Sequence, residues 1–188
     1  LFAAERPNVL LIMSDDHSAA HVGCYGNKDV RTPNLDAFAT QGVRLDRAYV
    51  STPQCVPSRA TYVTGRGPID INMTRFSAPL PASVPALPDL LRAQGYYSGI
   101  CGRTFHLDGS GSSSPNSKAV LDKHNLRTFA KRVDFLRSSN QKAALPEMVE
   151  FLGQVPVGKP FFLWMGFNDP HRPLDRNAVS PPHDPAKL

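Results

Sequence analysis

Cys55, Pro57, Ser58 and Arg59 form the segment of this sequence with the most distinctive chemistry. Proline suits the first turn of a helix, because the N–H that it lacks would have no helical partner there. The segment therefore predicts that Cys55 lies at or just before a helix N-terminus, where backbone N–H groups and the helix dipole favour negative charge. Arg59 is expected on the same helix face, where its guanidinium can stabilise an oxyanion. A buried free cysteine beside a surface arginine is the alternative interpretation.

Two adjacent carboxylates, Asp15 and Asp16, come at the end of the apolar run NVLLIMS at 8–14. A continuous apolar run is typical of a strand that is buried on both faces in a parallel sheet. Ligands gather beyond the carboxyl ends of such strands, which favours a functional role for the pair. Adjacent carboxylates repel each other unless a cation neutralises them, and their hard oxygens suit Ca²⁺ or Mg²⁺. A solvated acidic turn is the alternative.

Three further polar residues follow predicted strands and are candidates for the same site. Arg103 and His106 come after the apolar segment 96–101, and His171 comes after the segment 160–167. A histidine can donate or accept a proton near neutral pH, and an arginine can bind an anion. Local sequence alone is equally consistent with surface loop histidines. Because the carboxyl ends of parallel strands meet at one edge of a sheet, we expect these residues to share a site.

The order of the predicted elements indicates an α/β fold with a mainly parallel sheet flanked by helices. Strands are expected at 8–14, 43–51, 96–101 and 160–167. Helices are expected at 32–40, 55–64, 87–94, 120–137 and 146–152. Residues 66–88 contain five prolines and are expected to form an irregular surface segment. Trp164 lies within the last strand and is expected in the core.

The length and composition are those of one globular domain, or of a large part of one. The chain has 188 residues, 41% of them hydrophobic, and a net charge of +5. No apolar run approaches the roughly 20 residues of a membrane span. No basic stripe alternates with aromatic residues, so nucleic acid is not an expected partner. The basic excess indicates either a solvated surface or an attraction for anionic substrates.

The three cysteines, Cys24, Cys55 and Cys101, do not have the spacing of a metal site. If Cys55 is modified, Cys24 and Cys101 are left either to pair or to remain buried as small apolar groups. The opening residues 1–4, LFAA, are typical of the tail of a removed export signal, or of the lead-in to a first strand. A periplasmic or secreted location is expected.

Several motifs occur together in the order that one protein family uses. They are Arg6-Pro7-Asn8, Asp15-Asp16, Gly23-Cys24-Tyr25-Gly26, Thr32-Pro33-Asn34-Leu35-Asp36, Cys55-Val56-Pro57-Ser58-Arg59 and Thr64-Gly65-Arg66. With these motifs the chain resembles the type I sulfatases, which oxidise the cysteine of such a segment to formylglycine. Within that family, the segment GRTFH at 102–106 is similar to iduronate-2-sulfatase, and DPHR at 169–172 is similar to heparan N-sulfatase.

The resemblance implies an alkaline-phosphatase-like α/β sandwich, with residues 1–188 forming the N-terminal part of its catalytic domain. It implies Ca²⁺, with Mg²⁺ as the alternative, held by Asp15, Asp16 and the converted Cys55. It also implies a formylglycine-generating enzyme as a partner. The residues that it places around the sulfate group are Arg59, Arg103, His106 and His171.

The chemistry that the resemblance implies begins at the hydrated aldehyde of residue 55. One hydroxyl of the hydrate would attack the sulfur of a sulfate ester or sulfamate on a carbohydrate. Either His106 or His171 would protonate the leaving group or hold the sulfate. Collapse of the sulfated hydrate would then release inorganic sulfate, a step for which an unmodified cysteine or serine has no second hydroxyl.

The sequence departs from the family pattern in two ways. Arg103 stands where members usually have lysine, and arginine keeps the charge but cannot act as an acid. Two aspartates and one aldehyde hydrate also supply fewer ligands than the about 6–8 that calcium takes. We therefore expect the chain to be a fragment, or to be completed by a C-terminal polypeptide that supplies further ligands.

Two other functions compete with sulfate ester hydrolysis. The first is hydrolysis of phosphonate or phosphate monoesters, since formylglycine also serves that reaction in the same superfamily. The second is non-catalytic binding of sulfated glycans through Arg59, Arg103 and the histidines. The chemical state of residue 55 separates the second alternative from both enzymes.

Overall fold

A computed structural model describes residues 6–75, 80–104, 123, 129–138 and 144–171 of the chain. The chain divides into two compact units: Leu1–Met13 with Arg47–Asn168, and Ser14–Asp46 with Asp169–Leu188. The strands are Val9–Met13 (β1), Tyr97–Gly102 (β2), Phe135–Leu136 (β3) and Phe161–Gly166 (β4). The α-helices are Pro33–Gln41 (α1), Cys55–Thr64 (α2), Leu87–Ala93 (α3), Phe129–Arg132 (α4) and Ala144–Gln154 (α5). Short 3-10 helices span Ala19–His21 and Gly23–Tyr25.

The sheet lies in the first unit, and its strands pair in the order β1-β4-β2-β3. All three pairs are parallel, so the predicted α/β fold with a parallel sheet is confirmed. Gly166 at the end of β4 is opposite both Met13 of β1 and Gly102 of β2. Three strands therefore end level, and the residues that follow them begin at one edge of the sheet.

Strand β4 lies inside the sheet and is buried on both faces, as its continuous apolar sequence predicts. Phe162 and Trp164 belong to one core cluster, whereas Leu163 and Met165 belong to the other. The first cluster includes Val56, Ala60 and Val63 of α2, and the second includes Ala144 and Phe151 of α5. Each fully buried side chain of this size stabilises the fold by about 1.5–3 kcal/mol. The predicted core position of Trp164 is confirmed.

Strand β1 differs from its prediction as a strand buried on both faces. It lies at the edge of the sheet formed by the described residues. Val9, Leu11 and Met13 pack against the core, but Leu10 is 47% exposed and Ile12 is 61% exposed. The prediction of a strand is right and the prediction of two buried faces is wrong, because no described element covers the second face.

The helix ends follow local sequence signals. Helix α1 begins with Pro33 and stops before Gly42. Helix α2 stops before Gly65, which has a φ of 64° and donates its N–H to the carbonyl of Thr61 at 2.8 Å. Glycine adopts this left-handed conformation without the strain that a side chain would bring. The predicted helices at 32–40 and 55–64 are confirmed.

The strand predicted at 43–51 is absent, and the chain there is irregular. Val43 and Tyr49 are both 88% exposed, and Val50 is 62% exposed. These residue types favour strands when they pack against a half-buried surface. The described residues provide no such surface for this segment, so it does not pair with the sheet although its residue types favour strands.

The long helix predicted at 120–137 is wrong in its second half. Only Phe129–Arg132 is helical in the described stretch 129–138, and β3 begins at Phe135. The carboxylate of Asp134 accepts a hydrogen bond from the N–H of Ser98 in β2 at 2.8 Å. Pairing with β2 thus draws the chain out of the helical conformation.

The proline-rich segment is irregular as predicted, but it is not confined to the surface. Ile71, Met73 and Leu80 are fully buried in the core of the first unit. Arg132, which is 6% exposed, donates hydrogen bonds to the carbonyls of residues 81, 82 and 84 and pairs with Asp89. One buried guanidinium therefore ties this segment to α4. No helix in the described ranges is long and apolar enough to cross a membrane.

The second unit is organised around the carboxylate of Asp36 in α1. Its Oδ1 atom accepts hydrogen bonds from the N–H of Cys24 at 2.6 Å and from the hydroxyl of Thr32 at 2.9 Å. A Cβ atom at Gly23 would lie only 2.4 Å from Oδ2 of the same residue. The absence of a side chain at Gly23 is therefore what lets α1 approach this turn.

Candidate active site

Cys55 is the first residue of α2 in the first unit. The preceding residue, Gln54, is extended with φ −144° and ψ 138°, and its carbonyl accepts the N–H of Ser58 at 2.9 Å. Cys55 is half-buried. The first turn of a helix has N–H groups that the helix itself does not use. The predicted position of Cys55 at a helix N-terminus is confirmed.

Arg59 lies one turn later on the same helix and is only 4% exposed. Residues four apart in a helix share a face, so its guanidinium and the sulfur of Cys55 project from one side of α2. Arg59 lines a cavity of about 470 Å³ whose wall also includes Met13, Tyr49 and Tyr62. Met13 ends β1, so this face of α2 meets the carboxyl edge of the sheet. The alternative of a surface arginine is wrong.

Arg103 directly follows β2 at the same edge and is 8% exposed. Its backbone N–H donates to the carbonyl of Gly166 at 2.8 Å, and its Nη1 donates to Oδ1 of Asn168, which follows β4. Asn168 is not among the site residues predicted from the sequence. Its position between a buried strand and Asp169-Pro170-His171 is a signal that could have identified it.

Asp15 and His171 come together in the second unit. The N–H of Asp15 donates to the carbonyl of Asp169 at 3.2 Å, which joins the segment after β1 to the segment after β4. A carboxylate oxygen of Asp15 and a ring nitrogen of His171 lie within 4.8 Å of each other. Asp15 is 3% exposed, whereas Asp16 is exposed and has a φ of 55°. A solvated turn thus describes Asp16 but not Asp15, whose buried carboxylate suits a hard cation.

The remaining candidates are one histidine and the other two cysteines. His106 lies outside the described residues. Cys24 and Cys101 both carry free thiols. Burial, and to a smaller extent the negative charge of Glu147, raises the pKa of Cys101 to about 12. A thiol with this pKa is a poor nucleophile at neutral pH, which leaves Cys101 as a packing residue.

The family model of the sulfatases matches residues 7–186 of this sequence. The chain belongs to the sulfatase family. Human steryl-sulfatase is 40% identical over 116 residues, which cover 56% of this chain and 20% of that protein. Human arylsulfatase H is 33% identical over 159 residues, which cover 78% of this chain and 28% of that protein. The chain therefore spans between a fifth and three tenths of the length of these relatives.

Solved structures share the fold of this sulfatase chain. A protein bound to its substrate D-glucosamine-2-N,6-O-disulfate gives a TM-score of 0.71 at 23% identity, covering 89% of this chain and 35% of that one. Ps i-CgsB in complex with k-i-k-neocarrahexaose gives a TM-score of 0.68 at 27% identity, and the match covers 90% of this chain and 46% of that one. The phosphonate monoester hydrolase of Agrobacterium radiobacter gives a TM-score of 0.65 at 24% identity, and the match covers 89% of this chain and 42% of that one. The predicted alkaline-phosphatase-like fold is confirmed, while the similarity to iduronate-2-sulfatase and heparan N-sulfatase stays a prediction.

Proposed function

We propose that this chain forms the nucleophile-bearing part of a sulfuric ester hydrolase that releases inorganic sulfate from a sulfated carbohydrate, carried as an O-sulfate or an N-sulfate. The observation that carries the proposal is Cys55 at the first residue of α2, with the buried Arg59 one turn later on the same face. Membership of the sulfatase family supports it. Helix N–H groups and a guanidinium both stabilise negative charge where the sulfate would react.

The reaction depends on the conversion of Cys55 to formylglycine by a formylglycine-generating enzyme. When residue 55 carries this aldehyde, its hydrate supplies an oxygen nucleophile together with the second hydroxyl needed to release the sulfate. In this proposal Arg59 and Arg103 bind the sulfate oxygens through their fixed guanidinium donors. His171 and His106 protonate the leaving group or hold the sulfate.

Asp15, Asp16 and the converted Cys55 are the proposed ligands of a Ca²⁺ ion, with Mg²⁺ as the alternative. Asp15 fits this role because its carboxylate is buried beside a ring nitrogen of His171, and a nearby cation offsets the cost of burying a charge. A bound ion would supply positive charge next to the nucleophile. Because the chain spans 20% of human steryl-sulfatase and 28% of human arylsulfatase H, we propose that a further polypeptide supplies the remaining ligands.

Calcium titration of the isolated chain tests this part of the proposal. We expect weak binding, because three ligands leave much of the coordination shell to water. Tight one-to-one binding by the isolated chain would contradict the need for a completing polypeptide. Asp15→Asn should weaken the binding further, whereas Asp46→Asn, an exposed carboxylate paired with Arg44, is the matched control.

A sulfated carbohydrate is the proposed substrate because two solved structures with this fold hold sugars, D-glucosamine-2-N,6-O-disulfate in one and k-i-k-neocarrahexaose in the other. The phosphonate monoester hydrolase of Agrobacterium radiobacter has the same fold, which keeps phosphonate and phosphate monoesters as the competing substrates. Rates on an aryl sulfate and on the matching aryl phosphonate separate the two, measured together with any polypeptide that completes the site. A faster rate on the phosphonate would overturn the proposed substrate class.

Mass spectrometry of the chain produced with a formylglycine-generating enzyme tests the nucleophile. Conversion of Cys55 lowers the mass by about 18 Da. We expect the decrease in mass to disappear in Cys55→Ala. It should persist in Cys24→Ala, which replaces another half-buried cysteine. An unmodified Cys55 in a chain that still binds sulfated glycans would instead support the non-catalytic function.

We also propose that the protein works in the periplasm or outside the cell. The proposal rests on the sulfated carbohydrates that are expected as substrates. Cell fractionation of the source organism tests it, since recovery of the protein in the cytoplasm would contradict export.

A further inference from the structure

The carboxyl ends of β2 and β4 approach each other through two glycines. A Cβ atom at Gly102 would lie 2.1 Å from the carbonyl oxygen of Gly166, and a Cβ atom at Gly166 would lie 3.0 Å from that of Arg103. Gly102 also has a φ of 79°, in the left-handed region that favours glycine. Because neither glycine has a side chain, the two backbones close up and the residues that follow them begin side by side.

Arg103 and Asn168 are the side chains that this approach brings together. The backbone N–H of Arg103 donates to the carbonyl of Gly166 at 2.8 Å, and its Nη1 donates to Oδ1 of Asn168. Arg103 as a whole is only 8% exposed. An amide oxygen is a neutral acceptor, so it orients the guanidinium and leaves its positive charge in place. A carboxylate at position 168 would form an ion pair and cancel much of that charge.

We propose that Asn168 is a positioning residue that orients the guanidinium of Arg103 for binding the sulfate oxygens of the substrate. The inference rests on the proposed function, in which Arg103 binds the sulfate. Asn168 does not touch the substrate and acts through Arg103. The planar fork of an arginine must be turned correctly to bind an anion with two donors, unlike the compact ammonium of a lysine, and a fixed partner on Nη1 sets that orientation.

Steady-state kinetics on a sulfate ester, with any completing polypeptide present, tests the role. We expect Asn168→Leu to raise KM roughly tenfold and to change kcat by less than about threefold, because a hydrogen bond to a charged group that binds the substrate is lost. Asn168→Asp should raise KM further. It should also flatten the dependence of KM on ionic strength, because the charge at Arg103 that salt would screen is already neutralised.

Asn8 provides a matched control at the opposite end of β4. Its Oδ1 accepts a hydrogen bond from the N–H of Phe161 at 3.0 Å. Asn8→Leu and Asn8→Asp make the same chemical changes there and should leave KM and its salt dependence unchanged. In an Arg103→Lys background, Asn168→Leu should lose most of its effect, because coupled residues are not additive. Asn168 variants with wild-type KM, or with the response of the Asn8 variants, would overturn the inference.

NMR of the arginine side chains in the full chain gives a readout that needs no activity. We expect the Arg103 guanidinium to rotate slowly in the wild type and in Asn8→Leu, and about tenfold faster in Asn168→Leu. Titration with inorganic sulfate should shift the Arg103 signals, with about tenfold weaker binding in Asn168→Leu. Equal rotation rates and equal sulfate binding would overturn the inference. A wild type that binds sulfate in this way but hydrolyses no sulfate ester would refute the proposed function alone.

Discussion

Replacing Gly102 with alanine tests whether the close approach of β2 and β4 holds the sheet together. Alanine at a φ of 79° costs about 1–2 kcal/mol in the left-handed conformation. The added Cβ would lie 2.1 Å from the carbonyl oxygen of Gly166, whereas ordinary contacts are 3.4–4 Å. The two strands must therefore separate, and overpacking of this kind costs about 1–3 kcal/mol more. We expect the free energy of unfolding to fall by about 2–5 kcal/mol.

Gly158 provides the control for the conformational part of this cost. Its φ is 80°, and no atom lies within 4 Å of the position that a Cβ would take. Gly158→Ala should therefore lose only about 1–2 kcal/mol. Urea unfolding can be followed by the fluorescence of Trp164, the only tryptophan of the chain, which is buried in β4. Equal losses in the two variants would refute the steric reasoning.

Three further predictions concern buried or half-buried polar groups. Burial of the protonated Cys101 thiol contributes fully to the free energy of unfolding below pH 9, and this contribution is lost as pH rises towards the folded pKa of about 12. At pH 8 the thiol should therefore react with a disulfide reagent only after the protein unfolds. Arg132→Met should lower the free energy of unfolding by about 3 kcal/mol, whereas Arg137→Met, at an exposed arginine, should lower it by less than about 1 kcal/mol. Equal decreases for the two variants in urea unfolding would contradict the argument from burial. Asp36→Ala should increase the rate of backbone hydrogen exchange throughout the second unit. If the exchange rates in Asp36→Ala equal those in the control Asp46→Ala, Asp36 does not organise this unit.

The helix ends were predictable because their signals are local. Pro33 and Gly65 act through their own backbone preferences, which do not depend on the rest of the fold. The apolar segment 160–167 was predictable for a related reason, since such a run is typical of a strand covered on both faces, and β4 has this coverage where β1 does not. Signals of this kind predict β1, β2, β4, α1 and α2 in their correct order, but not β3.

Features that depend on coverage by other elements were not predictable. The segment 43–51 and strand β1 both contain residue types that favour strands, yet among the described residues only β1 has a partner strand, and one face of β1 is exposed. The end of α4 is decided by the bond between Asp134 and Ser98, which are 36 residues apart in the sequence. Propensity describes a residue alone and gives no information about the surface that it will meet.

The candidate site shows the same division. The shared face of Cys55 and Arg59 followed from helix periodicity. The meeting of Asp15 with His171 followed from their common position after parallel strands. Asn168 was missed because its importance comes from a neighbour on another strand, Arg103, which only the pairing of β2 with β4 identifies.

Within the part of the chain that the structure describes, β1 has no partner strand on one side, which has a practical consequence for handling the protein. A strand with one unpaired backbone edge and aliphatic side chains in contact with water is a template for adding strands from other molecules. The exposed side chains of Leu10 and Ile12 give β1 of the isolated chain an apolar surface that favours self-association. Concentrated samples should therefore self-associate and precipitate, and a lysine in place of Ile12 should keep them dispersed.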